Sequence, residues 1–293
     1  MPSQNLEYPK QPFSTVNRYN NRASYSLQQI HQIINTTHFL NVSFVDPDSP
    51  YPVSIPMIGH MGSFDRPSAD TGDVLDLYLH GYISSRLLNL SRNHGSSSPS
   101  DGGADQTAQP GGDSNGNSST KGGLPVTVAA THVDGLVLAL TPNNHSYNYR
   151  SATLFGRAAA VADPAEKLYA MRLITDAVVP DRWRQSRVPP TKGEMASTGL
   201  LRVTIEAGSA KIRSGMPGDE RFDLENAEVT GRVWTGVVPV WSAMGDPMPG
   251  PDNKVEHVPG YIADFVKDGN SWAKETALEQ ATKTMKPKGK TED

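Results

Sequence analysis

Residues 126–141 read VTVAATHVDGLVLALT and residues 149–163 read YRSATLFGRAAAVAD. Both runs are rich in β-formers and are read as strands. Working outward, LLRVTIEAGSAKIR (200–213) and EVTGRVWTGVVPVW (228–241) supply the last long strands. Upstream, Leu40, Val42 and Phe44 alternate with Asn41 and Ser43, the period of a strand with one buried face. Val53, Ile55 and Met57 form a second alternating strand. Pro52 and Pro56 each remove a ladder donor there, which suits an edge or a strand facing something other than a neighbour. VLDLYLHG (74–81) is a third, with Leu75, Leu77 and Leu79 set against Asp76, Tyr78 and His80. Strands do not alternate regularly with helices, so a doubly wound parallel sheet is disfavoured. The reading is a mainly β, α+β protein: an antiparallel closed barrel with a few peripheral helices.

Three helices decorate it. Ser26 with Gln29 has the form of a capping box, ahead of a stripe of Leu27, Ile30, Ile33 and Ile34. A short helix is expected over about residues 84–92. Asp163, Pro164 and Glu166 make a clear helix start, and that helix carries Leu168, Met171, Thr175 and Val178 up to Pro180.

Residues 95–123 read GSSSPSDGGADQTAQPGGDSNGNSSTKGG, without an aromatic or an aliphatic residue larger than Ala. Such a stretch cannot bury enough surface to offset its ordering entropy, so it is expected to be a disordered insertion. It splits the barrel domain into 22–94 and 124–250. Residues 1–21 are expected to be a flexible lead-in, and 251–293 an extension, partly helical or mobile, with mobility expected from about Lys274.

The 293 residues carry a formal charge of −4, from 27 Lys and Arg against 31 Asp and Glu, which gives no footprint for nucleic acid. Hydrophobic residues make up 36%, below the about 45–50% of a typical domain, and the deficit is local to the insertion. No cysteine is present, which excludes disulfides, thiolate catalysis and zinc fingers. With no apolar signal region at the start and no run long enough for a bilayer, a soluble cytoplasmic protein is expected. GxSxG, HExxH and GxxxxGK[ST] motifs are all missing, and the eight histidines lack metal-ligand spacing, so no metal site is expected.

Four stretches carry candidate chemistry. In YLHGYISSRLLNL (78–90), His80 ends a strand, Gly81 permits a turn, and Ser84, Ser85 and Arg86 sit where a helix begins. Backbone N–H groups, hydroxyls and a guanidinium at a helix start make a phosphate site; the bland alternative is ordinary serine capping and a solvated arginine. In NNHSYNYRSATLFGR (143–157), Tyr149, Arg150 and Ser151 open a strand, or simply belong to a polar loop satisfying its own backbone. In GSAKIRSG (208–215), Lys211 and Arg213 alternate on one strand face, which equally describes a solvated edge. Trp234 and Trp241 in VWTGVVPVW suit core, cofactor platform or dimer interface.

Together, PYPVSIPM, YLHGYISSRL, DGLVL with HSYNYRSATLFGR, AKIRSG and WTGVVPV follow one another in the order of a known family. The chain resembles the FMN-binding split-barrel proteins related to pyridoxamine-phosphate oxidase, and within them the flavin-nucleotide-binding, nitroimidazole-resistance-like branch. The resemblance runs from about residue 22 to 247. It implies a six-stranded antiparallel split barrel that forms a homodimer with FMN at the subunit interface. It places the strand Val53, Ser54, Ile55, Pro56 and Met57 beside the flavin ring, and His80 and Gly81 near the ribityl phosphate. Ser84, Ser85 and Arg86 would hold the phosphate, and Arg150 and Ser151, with Tyr149 beside them, would reach the flavin from a neighbouring strand. Lys211, Arg213 and Trp234 are further candidates. The basic residues that bracket the oxidase's second strand are replaced here by Val53 and Ile58, so vitamin metabolism is not expected. The implied activity is that of an FMN-dependent oxidoreductase acting on a small nitro-aromatic or quinone-like acceptor, with His80 a candidate catalytic group. The alternatives are a non-catalytic flavin- or haem-binding module, with His80, His132 or His145 as haem ligand, and a cofactor-free structural dimer.

Overall fold

The computed structural model describes residues 6–95 and 122–284. The expected insertion therefore lies, apart from its ends, outside the described residues. The strands are β1 (Ala23–Ser24), β2 (Leu40–Phe44), β3 (Val53–Gly62), β4 (Asp76–Tyr82), β5 (Leu124–Leu138), β6 (Ser146–Ala160), β7 (Thr198–Arg213) and β8 (Gly236–Pro239). The α-helices are α1 (Leu27–Asn35), α2 (Arg86–Gly95), α3 (Pro164–Val178), α4 (Lys192–Ser197), α5 (Arg221–Leu224), α6 (Ala227–Arg232) and α7 (Gly260–Thr282).

Six strands close on themselves in the order β7-β4-β3-β2-β5-β6, all antiparallel, with β6 returning to β7. This is the expected barrel. β1 adds to β7 and β8 adds to β5, both outside the ring. The inward faces of the strands supply Leu40, Val42, Leu77, Leu79, Val128, Leu154 and Val203, all buried. Burying an aliphatic side chain of this size is worth about 1.5–3 kcal/mol, so the alternation in sequence is enough to select the inward face. The apolar stripe of α1 joins the same core and packs on β3, β5, β6 and β7, so this helix plugs the barrel. Its start is bounded by Ser26, but the serine side chain caps nothing, and the expected box does not form.

A second core lies outside the barrel wall. Tyr78, expected on the solvent face of its strand, is fully buried with Leu200 against Ala170 and Ile174 of α3. Asp163 caps that helix as expected, accepting from the Glu166 N–H at 2.8 Å. The buried positions of α3 are Glu166, Ala170 and Ile174, whereas Leu168 and Val178 are exposed. Two of the three inward positions, Glu166 and Ala170, are charged or small, so hydrophobicity alone does not reveal the stripe.

Three expectations need correction. The stretch EVTGRVW is not a strand: Asn226 accepts from the N–H groups of Glu228 and Val229 and starts α6, leaving only the four residues of β8 extended. The N-terminal segment is tied down from residue 6 onward, where Tyr8 is buried and Glu7 pairs with Ser26. The chain beyond Lys274 continues as helix to Thr282, with Ala277, Gln280 and Ala281 buried. Among the described residues no helix is long and apolar enough to cross a membrane.

Candidate functional site

The predicted residues fall into two groups. The first surrounds the end of β4. On one side β3 pairs with β2 from Leu40↔Met57 to Phe44↔Val53, but β4 joins its other side only from Ile58↔His80 onward. The segment Val53–Met57 therefore keeps one edge without a strand partner, where the two prolines of the sequence pointed. Val53, Ile55 and Met57 face the core, and Ser54 and Pro56 face out, with Ser43 donating to the Ser54 hydroxyl at 3.1 Å. His80 is exposed on β4, followed by Gly81, whose missing Cβ would meet the Met57 Cε at 3.2 Å.

Ser85 bounds α2: its hydroxyl accepts from the Leu88 N–H at 3.4 Å and its carbonyl from the Asn89 N–H at 3.0 Å. Ser84 lies in the turn before it. Arg86 is the first residue of that helix, and its guanidinium is already engaged. Its Nε lies 2.5 Å from Oδ2 of Asp46, a carboxylate 2% exposed at the end of β2. No spacing or motif in the chain points to this partner, 40 residues upstream. Arg86 is thus neutralised by its own chain, and the reading of it as a free phosphate ligand is weakened.

The second group lies where β5, β6 and β7 run side by side. Arg150 is also matched: it donates from Nε and Nη2 to the two oxygens of Asp134, at 2.9 and 2.8 Å. Asp134 is the extra residue of a bulge in β5 between Val133 and Gly135, the device by which a strand re-aims a side chain. The Trp272 ring of α7 lies 5.8 Å from the Arg150 guanidinium. Tyr149 stands opposite Arg213. Ser151 donates to the Lys211 carbonyl at 3.0 Å.

Beside them is a cluster of cations without matching carboxylates among the described residues. The Tyr19 ring, whose backbone is left-handed at φ 57°, has Arg22 at 4.4 Å, Arg18 at 5.2 Å and Lys211 at 5.9 Å. Arg213, 4% exposed, donates to neutral oxygens only: Oδ1 of Asn148 and the carbonyls of Gly215 and Met216, both at 3.4 Å. Burial first, and then the Arg22 charge, hold its pKa below the ordinary guanidinium value. A buried guanidinium without a carboxylate is costly, and a nearby anion relieves that cost. No motif in the sequence marks Arg18 and Arg22.

The two groups are far apart in one chain. His80 stands opposite Leu200 and Lys211 opposite Ser151, so they are separated by eleven residues of β7, about 36 Å of strand. Trp234 belongs to neither, being 64% exposed with its ring over Gly236.

Among the cavities formed by the described residues, two lie elsewhere. The larger, about 390 Å³, is lined by His60 of β3, Pro67, and Tyr169, Arg172, Leu173, Asp176 and Ala177 of α3. His60 donates from Nδ1 to the Met61 carbonyl at 2.8 Å, and burial pushes its pKa down, leaving Nε2 as an acceptor without a partner among the described residues. The smaller, about 230 Å³, is lined by Arg92, Lys167 and apolar residues that include Leu88 and Leu200. No group of three or more metal-ligating side chains occurs among the described residues.

The sequence profile of the family described as pyridoxamine 5'-phosphate oxidase matches residues 107–212. No curated protein matches the chain. Two solved structures are similar over most of their length. The flavocytochrome Anf3 from Azotobacter vinelandii is 23% identical with a TM-score of 0.63, over 87% of this chain and 96% of that one. A FAD and haem binding protein from Mycobacterium smegmatis is 26% identical with a TM-score of 0.62, over 84% of this chain and 97% of that one.

Proposed function

We propose that the chain, whose residues 107–212 match the pyridoxamine 5'-phosphate oxidase family, binds a flavin nucleotide and works as an oxidoreductase on a small acceptor such as a nitro-aromatic or a quinone. The flavin, when bound, supplies the electron transfer; the protein supplies binding and electrostatics. The absence of every nucleophile motif agrees with that division. The observation that carries the reading is the cluster of Arg18, Arg22, Lys211 and Arg213, none with a carboxylate partner among the described residues. Lys211 and Arg22 would hold the phosphate, with Arg213 adding charge from beneath. This moves the phosphate away from Arg86 and Arg150, whose charges Asp46 and Asp134 already balance.

The test is titration of the apo-protein with riboflavin, FMN and FAD. Lys211→Ala should weaken FMN by tenfold to a hundredfold, from a charge-assisted bond of about 1.5–3 kcal/mol, and leave riboflavin unchanged. A wild type that binds none of the three sinks the flavin reading.

A homodimer in the cytoplasm completes this reading. If the unpaired edge of β3 and the cation cluster serve one flavin, they come from different copies, since one chain holds them at opposite ends of β7. The exposed Trp234, Trp241 and Met248 offer apolar surface for such a contact.

Haem is the second group supported, as a non-catalytic or additional cofactor. The similarity to a FAD and haem binding protein from Mycobacterium smegmatis supports it.

A further inference from the structure

We propose that the cavity of about 230 Å³ between α2, the start of α3 and the first residues of β7 binds a small organic carboxylate with an apolar body, its charge held by Arg92 and Lys167. The site is independent of where a flavin sits.

The cavity lies where the two cores meet. Leu88 of α2 and Ile83 pack in the barrel core, whereas Leu200 of β7 and Val161 pack in the core outside the wall. Ala160, Ala162 and Thr198 complete the lining, and none of the described residues that line it is acidic. Thr198 pairs with Tyr82 and Leu200 with His80, so the cavity stands beside the end of β4.

Two cations line this apolar space. Arg92, exposed in the last turn of α2, donates from Nη1 to neutral oxygens, the Ile83 carbonyl at 3.2 Å and Oδ1 of Asn89 at 3.4 Å. Lys167, half-buried, is the fourth residue of α3, where the positive end of the helix disfavours a cation. Neither has a carboxylate partner among the described residues. The acids nearest to Lys167 in the chain are committed elsewhere. Asp163 accepts from the Glu166 N–H at 2.8 Å, and Glu166 accepts from the Tyr78 hydroxyl at 3.0 Å and from Arg202 at 2.9 Å. Burial, and then the Arg92 charge, push the Lys167 pKa below its ordinary value. Two like charges against an apolar wall are costly, and one anion between them relieves both.

The lining also sets the class of ligand. A guanidinium and an ammonium call for an oxyanion. Ile83, Leu88, Ala160, Val161, Ala162 and Leu200 call for a hydrocarbon body, which inorganic anions lack. The volume is below the about 300–1,000 Å³ of drug-sized pockets, so that body is a single ring or a short chain.

The experiment follows para-fluorobenzoate by fluorine NMR with the full chain. Wild type should bind it with a dissociation constant below about 1 mM. Lys167→Met and Arg92→Gln should each weaken it about tenfold with the thermal midpoint kept, and Lys167→Arg should retain it. Lys211→Ala, in the cation cluster, should change nothing. The neutral para-fluorobenzyl alcohol should bind at least about tenfold more weakly, and acetate at equal concentration should not displace the probe. A wild type that does not bind the probe overturns the proposal. So does binding that survives both Lys167→Met and Arg92→Gln, or that is lost in Lys211→Ala instead. Displacement by acetate or inorganic phosphate as effective as displacement by benzoate overturns the apolar body and leaves a site for bare anions only.

Discussion

Asp134 holds Arg150 by two parallel hydrogen bonds, and both side chains are largely withdrawn from water, at 4% and 14% exposure. A bulged residue thus neutralises a strand arginine that would otherwise be a ready anion ligand. Removing one partner leaves the other as an uncompensated buried charge, which costs about 3–5 kcal/mol. Asp134→Ala should lower the thermal midpoint markedly, and adding Arg150→Met should restore part of it. Equal melting of Asp134→Ala and wild type would show the pair to be idle.

The Arg86–Asp46 contact makes a contrasting prediction. Arg86→Ala should destabilise the fold by about 1–2 kcal/mol by stripping a buried carboxylate of its partner. Its effect on FMN affinity should stay within about twofold, against the much larger effect at Lys211. A loss of FMN without loss of stability would return the phosphate to α2.

His31 sets a pH dependence. Burial, opposed by the hydrogen bond to Thr71, lowers its pKa to about 4. The unfolded chain therefore binds the proton more readily, so stability is fully present above about pH 6.5 and is lost as pH falls towards 4. Urea midpoints should drop over that window in wild type. The drop should be smaller in His31→Gln, and parallel curves would refute the assignment.

Gly59 is held to its size. A Cβ there would lie 2.6 Å from Leu79 Cδ2 and 2.7 Å from the Tyr78 carbonyl, which is backbone and cannot yield cheaply. Gly59→Ala should cost about 1–3 kcal/mol through overpacking, measured by denaturant unfolding.

The barrel is legible in the sequence because its strands alternate with period two around one core, as at Leu40, Val42 and Phe44. Tyr78 escapes that logic because a helix more than 80 residues later covers the outer face of its strand. The short helix α4 carries a signal legible in the chain, the capping box of Thr191 and Glu194. The site is legible only as residue types. Arg86 and Arg150 look like free cations until Asp46 and Asp134 are seen folded against them, and Arg18 and Arg22 gain meaning only once β1 brings them to Lys211. Charge pairing is a property of the tertiary fold, and no spacing in the chain announces it.

The Gln280 carbonyl accepts from the Gly215 N–H at 2.7 Å and from Nδ2 of Asn148 at 3.4 Å, while Oδ1 of the same asparagine holds Arg213. The support beneath the cation cluster is therefore closed by one of the last described turns of the chain. On the ribosome the whole barrel emerges before this support does. Cofactor capture at that end is consequently a final step of biosynthesis, and a nascent chain stalled short of residue 280 should show a nearly complete barrel that fails to retain a flavin nucleotide.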